Sequence, residues 1–323
     1  MHWIVRGLAV GAVLVVAAAG HAQDASYPNH PVRIIVPFAA GGPPDVISRI
    51  VAQKLSERWG QQVYVENHPG AGGNTGTATA ARAAPDGYTL YMMSTGFMVN
   101  PSLYAKVPYD PIKDFAPVTL VVRNTTILVV KTGAPVGSAR ELTSLAEKDP
   151  GVIPFASTGS GSMTHLALEL FQAAAGVKFL HVPYRGAAPA LTDLLGGQVQ
   201  AMFADAPVLM PHITGGALKA LGAASAARNS ALPDVPTLAE QGFADTVADN
   251  WYGLLAPART PPAILARLHD ATVAAIDAPE VRDKLVASGA VPAPTSSAEF
   301  GRFLAAELAR WGRVVQERHI TAD

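Results

Sequence analysis

The sequence predicts an α/β fold of two lobes, each a mostly parallel sheet flanked by helices. Strand-like apolar runs alternate with helical ones along nearly the whole chain, and a β-α-β-α-β order implies parallel strands joined by right-handed crossovers. One local unit also occurs twice. Arg33-Ile34-Ile35-Val36-Pro37-Phe38 leads through Ala39-Ala40-Gly41-Gly42-Pro43-Pro44-Asp45 into a helix from Val46 to Trp59. Val152-Ile153-Pro154-Phe155 leads through Ala156-Ser157-Thr158-Gly159-Ser160-Gly161-Ser162 into a helix from Met163 to Ala175. In each, a strand ends in small residues at the positive end of a helix, where backbone N–H groups can approach an anion. Neither loop has the lysine of a P-loop or the spacing of a dinucleotide fingerprint. The pair predicts two anion-friendly half-sites holding a small carboxylate in a cleft.

Taken in order, Val32–Val36 is the first strand, and Ile47, Ile50, Val51 and Leu55 set the following helix by their spacing. Val63–Glu66 is the next strand, Asn67–Asn74 a long glycine turn, Thr75–Ala83 a helix ended by Pro85-Asp86-Gly87, and Thr89–Met93 a third strand. Val118–Val122 and Ile127–Lys131 are two apolar strands separated by Asn124-Thr125-Thr126. A second α/β series follows: Glu141–Lys148 helix, Val152–Phe155 strand, Met163–Ala175 helix, Phe179–Pro183 strand, Ala187–Leu195 helix, Val199–Ala204 strand, and a short strand at Leu218–Ala223. A proline-rich connection, Leu232–Thr237, reaches a strand at Trp251–Pro257, and helices at Pro262–Ala275, Glu280–Ser288 and Ser297–Gln316 finish the chain. Residues 27–125 with 251–323 are expected to form one lobe and 126–250 the other, joined by crossing segments near 118–131 and 224–253.

The N-terminus addresses the chain. His2 and Arg6 precede an apolar run over residues 7–19, and Gly20-His21-Ala22 puts small residues where a leader is cut. Residues 1–22 therefore read as a cleaved secretory signal peptide, and the expected location is the periplasm. The run is short for a membrane span, which needs about 20 apolar residues. There is no cysteine, so neither disulfides nor a lipid-bearing cysteine enter the argument. With 24 basic against 25 acidic residues and a net charge of −1, no basic field is available to hold nucleic acid. The nine histidines are scattered, without His-x-x-x-His spacing, which gives no metal site and no cofactor. No Gly-x-Ser-x-Gly elbow or serine–histidine–acid arrangement follows from the spacing, so catalysis is not expected. A monomer is.

Site candidates follow from where strands end. Phe38, Ala40, Gly41, Gly42 and Asp45 form the first loop; Pro43-Pro44 starts a helix whose first-turn amides are expected to be free, and Asp45 is expected either to cap it or to meet ligand. Ser157, Thr158, Gly159, Ser160 and Ser162 form the second, with hydroxyls that donate to a carboxylate or bridge through water. Asn74 follows the glycine turn as a helix cap or ligand contact. Ser94 and Thr95 lie at the carboxyl edge of the third strand, where α/β sheets bind ligands. Tyr184 and Arg185 follow a strand of the second lobe, Arg185 offering a planar fork to a carboxylate. His165 sits within a helix, and Asp205 closes the 199–204 strand.

These residues also resemble a known family, the extracytoplasmic solute receptors of tripartite tricarboxylate transporters, called Bug receptors. The resemblance rests on Tyr27-Pro28 with Pro31-Val32-Arg33, Pro37–Gly42 with Asp45, Glu66–Asn74, Pro85–Leu90, Asn100–Tyr104, Tyr109-Asp110-Pro111 and Asp114–Pro117. The second lobe adds His165-Leu166, Val182–Gly186, Asp193–Gly197, Leu232–Thr237 and Trp251-Tyr252-Gly253. It implies a periplasmic binding protein of type II, flytrap-like, closing on a small carboxylate and delivering it to membrane permease subunits. The family often has an acid directly after the phenylalanine that matches Phe203; here Ala204 intervenes before Asp205. A sensor presenting the carboxylate to a signalling protein is the alternative, since the same cleft serves both.

Overall fold

The computed structural model describes residues 27–318, 320 and 321. The signal peptide expected over residues 1–22 lies outside the described residues. A six-stranded sheet contains β1 (Val32–Val36), β2 (Val63–Asn67), β3 (Thr89–Ser94), β4 (Phe115–Asn124), β10 (Asn250–Pro257) and β11 (Ala290–Pro292), in the order β11-β4-β10-β3-β1-β2. A five-stranded sheet contains β5 (Thr126–Lys131), β6 (Pro154–Ser157), β7 (Leu180–Pro183), β8 (Ala201–Asp205) and β9 (Leu218–Ala223), in the order β7-β6-β8-β5-β9. Each is the centre of one lobe. The chain leaves the first sheet for the second at Thr125, the one residue between β4 and β5, and returns between β9 and β10.

Both sheets are mixed, not mostly parallel. β1 is parallel to β2 and β3, and β6 to β7 and β8, as βαβ crossovers require. β10 runs antiparallel to β3 and β4, β11 to β4, and β5 to β8 and β9. The reason is the double crossing. β5 and β10 enter their sheets from the lobe junction, against the βαβ strands that run towards it.

The helices are α1 (Pro43–Trp59), α2 (Asn74–Ala81), α3 (Gly96–Leu103), α4 (Ala139–Lys148), α5 (Met163–Ala175), α6 (Ala187–Gly196), α7 (Ala206–Thr214), α8 (Pro262–Ile276), α9 (Pro279–Ala287) and α10 (Ser297–Glu317). α1 starts on two prolines, which suit the first turn because they need no acceptor, and stops at Gly60 in the left-handed region (φ 62). α3, α7 and β11 were not expected from the sequence. Pro101 lies inside α3, and Pro207 and Pro211 lie in α7, so both read as broken loops until packing supplies the deficit.

Adjacent residues of the six-stranded sheet alternate between two buried faces. Ile34, Met92 and Leu254 pack with α1 and α8, while Ile35, Met93 and Leu255 pack with Phe300 and Leu304 of α10. Farther along α10, Trp311 and Val315 belong to the core of the other lobe, with Phe155, Phe171 and Phe203. Glu307 lies between the two regions. Its Oε2 accepts from Trp311 Nε1 at 2.9 Å and from Trp251 Nε1 of β10 at 3.4 Å. The last helix is therefore common to both lobes.

Candidate ligand site

Six strands, β1, β2, β3, β6, β7 and β8, each lead at their C-terminal end into a helix: α1, α2, α3, α5, α6 and α7. In α/β sheets that edge is where ligands bind, because the helix starts present unpaired N–H groups there. Asn250, at the start of β10, sets the two edges side by side. Its Oδ1 accepts from Thr95 Oγ1 at 2.9 Å, just beyond β3, and its Nδ2 donates to Asp205 Oδ2 at 2.9 Å, at the end of β8. A second approach joins α3 to the serine-rich loop. A Cβ on Gly161 would stand 2.6 Å from Leu103 Cδ1.

The first loop is braced from within. Asp45 is buried, and its Oδ2 accepts from Gly41 N at 2.9 Å while its Oδ1 accepts from Asn67 Nδ2 at 3.0 Å. Arg49 Nε donates to both carboxylate oxygens, at 3.1 and 3.0 Å. Burial works against the charge, but the bonds from Arg49, Gly41 and Asn67 outweigh it and hold the carboxyl below its usual range. Two expectations change here. Asp45 neither caps α1 nor is left over for a ligand; it ties the loop to its own helix. The first-turn amides of α1 are also fewer than expected, because Pro43 and Pro44 occupy the first helical positions and carry no N–H. Ala39, Ala40 and Gly41 remain exposed, with Phe38 and Gly42 half-buried.

The second loop is held by polar contacts of its own. Ser162 Oγ caps α5, accepting from His165 N at 3.3 Å, and Thr164 Oγ1 accepts from Thr158 N at 2.8 Å. His165 Nδ1 accepts from Gly161 N at 3.0 Å, and its Nε2 lies 3.6 Å from Glu169 Oε1. The His165 ring stacks on His181 of β7, centroids 4.0 Å apart and planes 5° from parallel. Ser157 Oγ lies 2.7 Å from His181 Nε2, which makes Ser157, fully buried, a brace and not an accessible donor. Burial and the neighbouring His165 push His181 down to about 4. The His165 side chain, against partial burial, holds Glu169 low. Thr158, Gly159 and Ser160 stay half-buried at the loop crest.

The other candidates divide. Ser94 and Thr95 lie at the edge as expected, but Thr95 Oγ1 is turned to β10, where it also accepts from Trp251 N at 3.1 Å. Asn74 is buried as the first residue of α2, not its cap, and its Oδ1 accepts from Asn100 Nδ2 at 2.8 Å and Tyr109 OH at 3.1 Å. Tyr184 donates its phenol to Asp193 Oδ2 at 2.6 Å, while Arg185 is exposed in the following turn. Asp205 Oδ2 also accepts from Tyr252 OH at 2.8 Å, and burial pushes its carboxyl up to about 6. Asn250, Tyr252, His181, Thr164 and Leu103 were missed from the sequence. Only the run Trp251-Tyr252-Gly253 marked the neighbourhood of the first two.

Over residues 47–320 the chain matches the family described as the tripartite tricarboxylate transporter family receptor. The chain belongs to that family. BugT of Bordetella pertussis is 37% identical over 309 residues, covering 94% of this chain and 95% of BugT. Two solved structures from Rhodopseudomonas palustris are similar over about nine-tenths of the chain. Rpa4515 with adipate has a TM-score of 0.87 at 33% identity, covering 91% of this chain and 99% of that one. MatC with bound malate has a TM-score of 0.82 at 34% identity, covering 90% and 100%. The family is one of substrate-binding receptors, and its two-lobed α/β architecture is the one seen here. In this receptor-family chain, the strand-end loops of the two sheets are brought near each other at Asn250 and at the Leu103–Gly161 approach.

Proposed function

We propose that this receptor captures a small organic carboxylate between its lobes in the periplasm and delivers it to the membrane permease of a tripartite tricarboxylate transporter. The carrying observation is the pair of strand-end edges held together by Asn250, with helix starts on both sides. The acid of the first loop leaves room for an anionic ligand, because Asp45 is consumed by Arg49, Asn67 and Gly41; Asp205 is buried and takes Tyr252 and Asn250 on Oδ2. The donors left for a carboxylate are the exposed amides about Ala40, the Ser94 hydroxyl, and the Ser160 amide and hydroxyl with the Met163 and Thr164 amides of α5. Adipate and malate in similar receptors fit a donor set that reads the carboxylate and is indifferent to the carbon chain. The lobes are residues 27–125 with 251–323 and residues 126–250, except that Asn250 pairs within the six-stranded sheet and the end of α10 at Trp311 and Val315 packs into the second lobe; rotation is about Thr125 and the 224–249 return. The leader 1–22 is removed on export.

A thermal-shift screen of small mono- and dicarboxylates, malate and adipate included, tests the reading. A cognate acid at 100 times its dissociation constant stabilises the folded state by about 2.7 kcal/mol. A protein whose melting temperature no carboxylate raises is not a carboxylate receptor.

A further inference from the structure

The stacked histidines lie directly beneath the serine-rich loop, and one uses a ring nitrogen as an acceptor. His165 Nδ1 receives the Gly161 N–H at 3.0 Å. That bond requires a lone pair on Nδ1, so the neutral ring carries its proton on Nε2, towards Glu169 Oε1 at 3.6 Å. A protonated imidazole has hydrogen on both nitrogens and no acceptor left. Its Nδ1–H would meet the Gly161 N–H head-on, and the contact would open. Gly161 has little freedom to adjust in place: it sits at φ +72 with Leu103 Cδ1 where a side chain would begin.

We propose that His165 is the positioning residue of the second-lobe half-site: its neutral ring holds Gly161 and the Ser160–Ser162 arc for the ligand, and its protonation releases them. The inference rests on the receptor reading above. The titratable groups facing His165 are Glu169 on its own helix and His181 on β7; α3 brings the apolar Leu103 against the loop. Glu169 favours a charge on His165. His181 does not share it: burial first, and then repulsion from the His165 ring stacked 4.0 Å away, push His181 down to about 4. A proton added to His165 must land on Nδ1, the nitrogen that holds the loop. Ser157, 2.7 Å from His181 Nε2, fixes the second ring against the strand end and keeps the stack in register.

Capture should accordingly be strong at neutral pH and weaken in acid. The test uses wild type, His165→Asn and His165→Leu with malate and adipate as probes, at about pH 8 and about pH 5, either side of the ordinary histidine value. The asparagine carbonyl can stand in for Nδ1 as acceptor and does not titrate; leucine removes the acceptor. Wild-type affinity should fall by about threefold to tenfold in acid, the worth of one hydrogen bond. His165→Asn should bind at both pH values like neutral wild type, and His165→Leu weakly at both. In ligand-free wild type, the Gly161 amide resonance should follow the imidazole titration of His165. Equal pH profiles for wild type and His165→Asn overturn the proposal. If neither probe binds wild type at about pH 8, the receptor reading fails for those acids. The latch is then decided by the amide alone: a Gly161 signal indifferent to the His165 titration overturns it.

Discussion

Asn250 Nδ2 donates to Asp205 Oδ2 at 2.9 Å, and the two residues belong to different sheets. The bond closes a chain from Thr95 through Asn250 to Asp205, with Tyr252 OH as a second donor to the same carboxylate oxygen. It lies at the junction about which any lobe rotation must occur. Asn250→Ala should cost about 1–3 kcal/mol, since it leaves a buried carboxylate with one donor fewer. It should also enlarge the ligand-free radius of gyration. Urea unfolding and small-angle scattering check both; an unchanged radius would mean that the bond does not hold the lobes together.

Asp205 should leave a mark on stability against pH. Its folded pKa, about 6, is above the ordinary 3.8, so the native state binds this proton more tightly than the unfolded chain. Stability from this group therefore rises as pH falls from about 6 towards about 4, and is lost again on going up. Asp205→Asn removes the dependence. The stability difference between wild type and variant should change by about 2–3 kcal/mol between pH 7 and pH 4. Parallel unfolding curves at the two pH values would contradict it.

Asp45 acts on ligand through the loop it braces. Asp45→Ala removes the acceptor shared by Gly41 N, Asn67 Nδ2 and Arg49 Nε, leaving Asn67 only Phe38 O and Arg49 only Asn67 Oδ1. Calorimetry with malate or adipate should show an affinity loss of about tenfold or more, from several lost charge-assisted bonds. Wild-type affinity in the variant would mean that the loop keeps its form without the carboxylate.

Gly253 has a packing reason to be glycine. In β10 it faces Phe300 of α10, and a Cβ there would overlap the buried phenyl ring. Gly253→Ala should cost about 1–3 kcal/mol by overpacking. Phe300→Leu in the same chain should recover part of it, so the double mutant is more stable than the sum of the singles predicts. Simple additivity would mean that the two positions do not press on each other.

Sequence reading reached most elements because both sheets are covered on two faces and their strands are written as long apolar runs, as in Ile34-Ile35-Val36 and Leu254-Leu255. It did not reach the antiparallel entries of β5 and β10, which depend on the chain crossing twice and not on any local pattern. In the site, the glycine-rich strand ends were legible from the turn chemistry of Gly41-Gly42 and Gly159–Ser162. The partners were not. His181 meets His165, and Asn250 meets Asp205, only because separate elements are folded together. The missing N–H groups of Pro43 and Pro44 were in plain view and still bore on the outcome: the first loop has fewer helix amides to offer than its position suggested.

The shared last helix also orders events in time. Synthesis delivers a chain N-terminus first, and segments fold as they emerge. Here β10, the strand between β4 and β3, comes from residues 250–257, and the core around Phe155 and Phe171 is completed by Trp311 and Val315. Neither lobe can be finished until the final stretch has emerged. A chain whose end is withheld would stay unlocked in both halves, then consolidate them almost at once as that end is released.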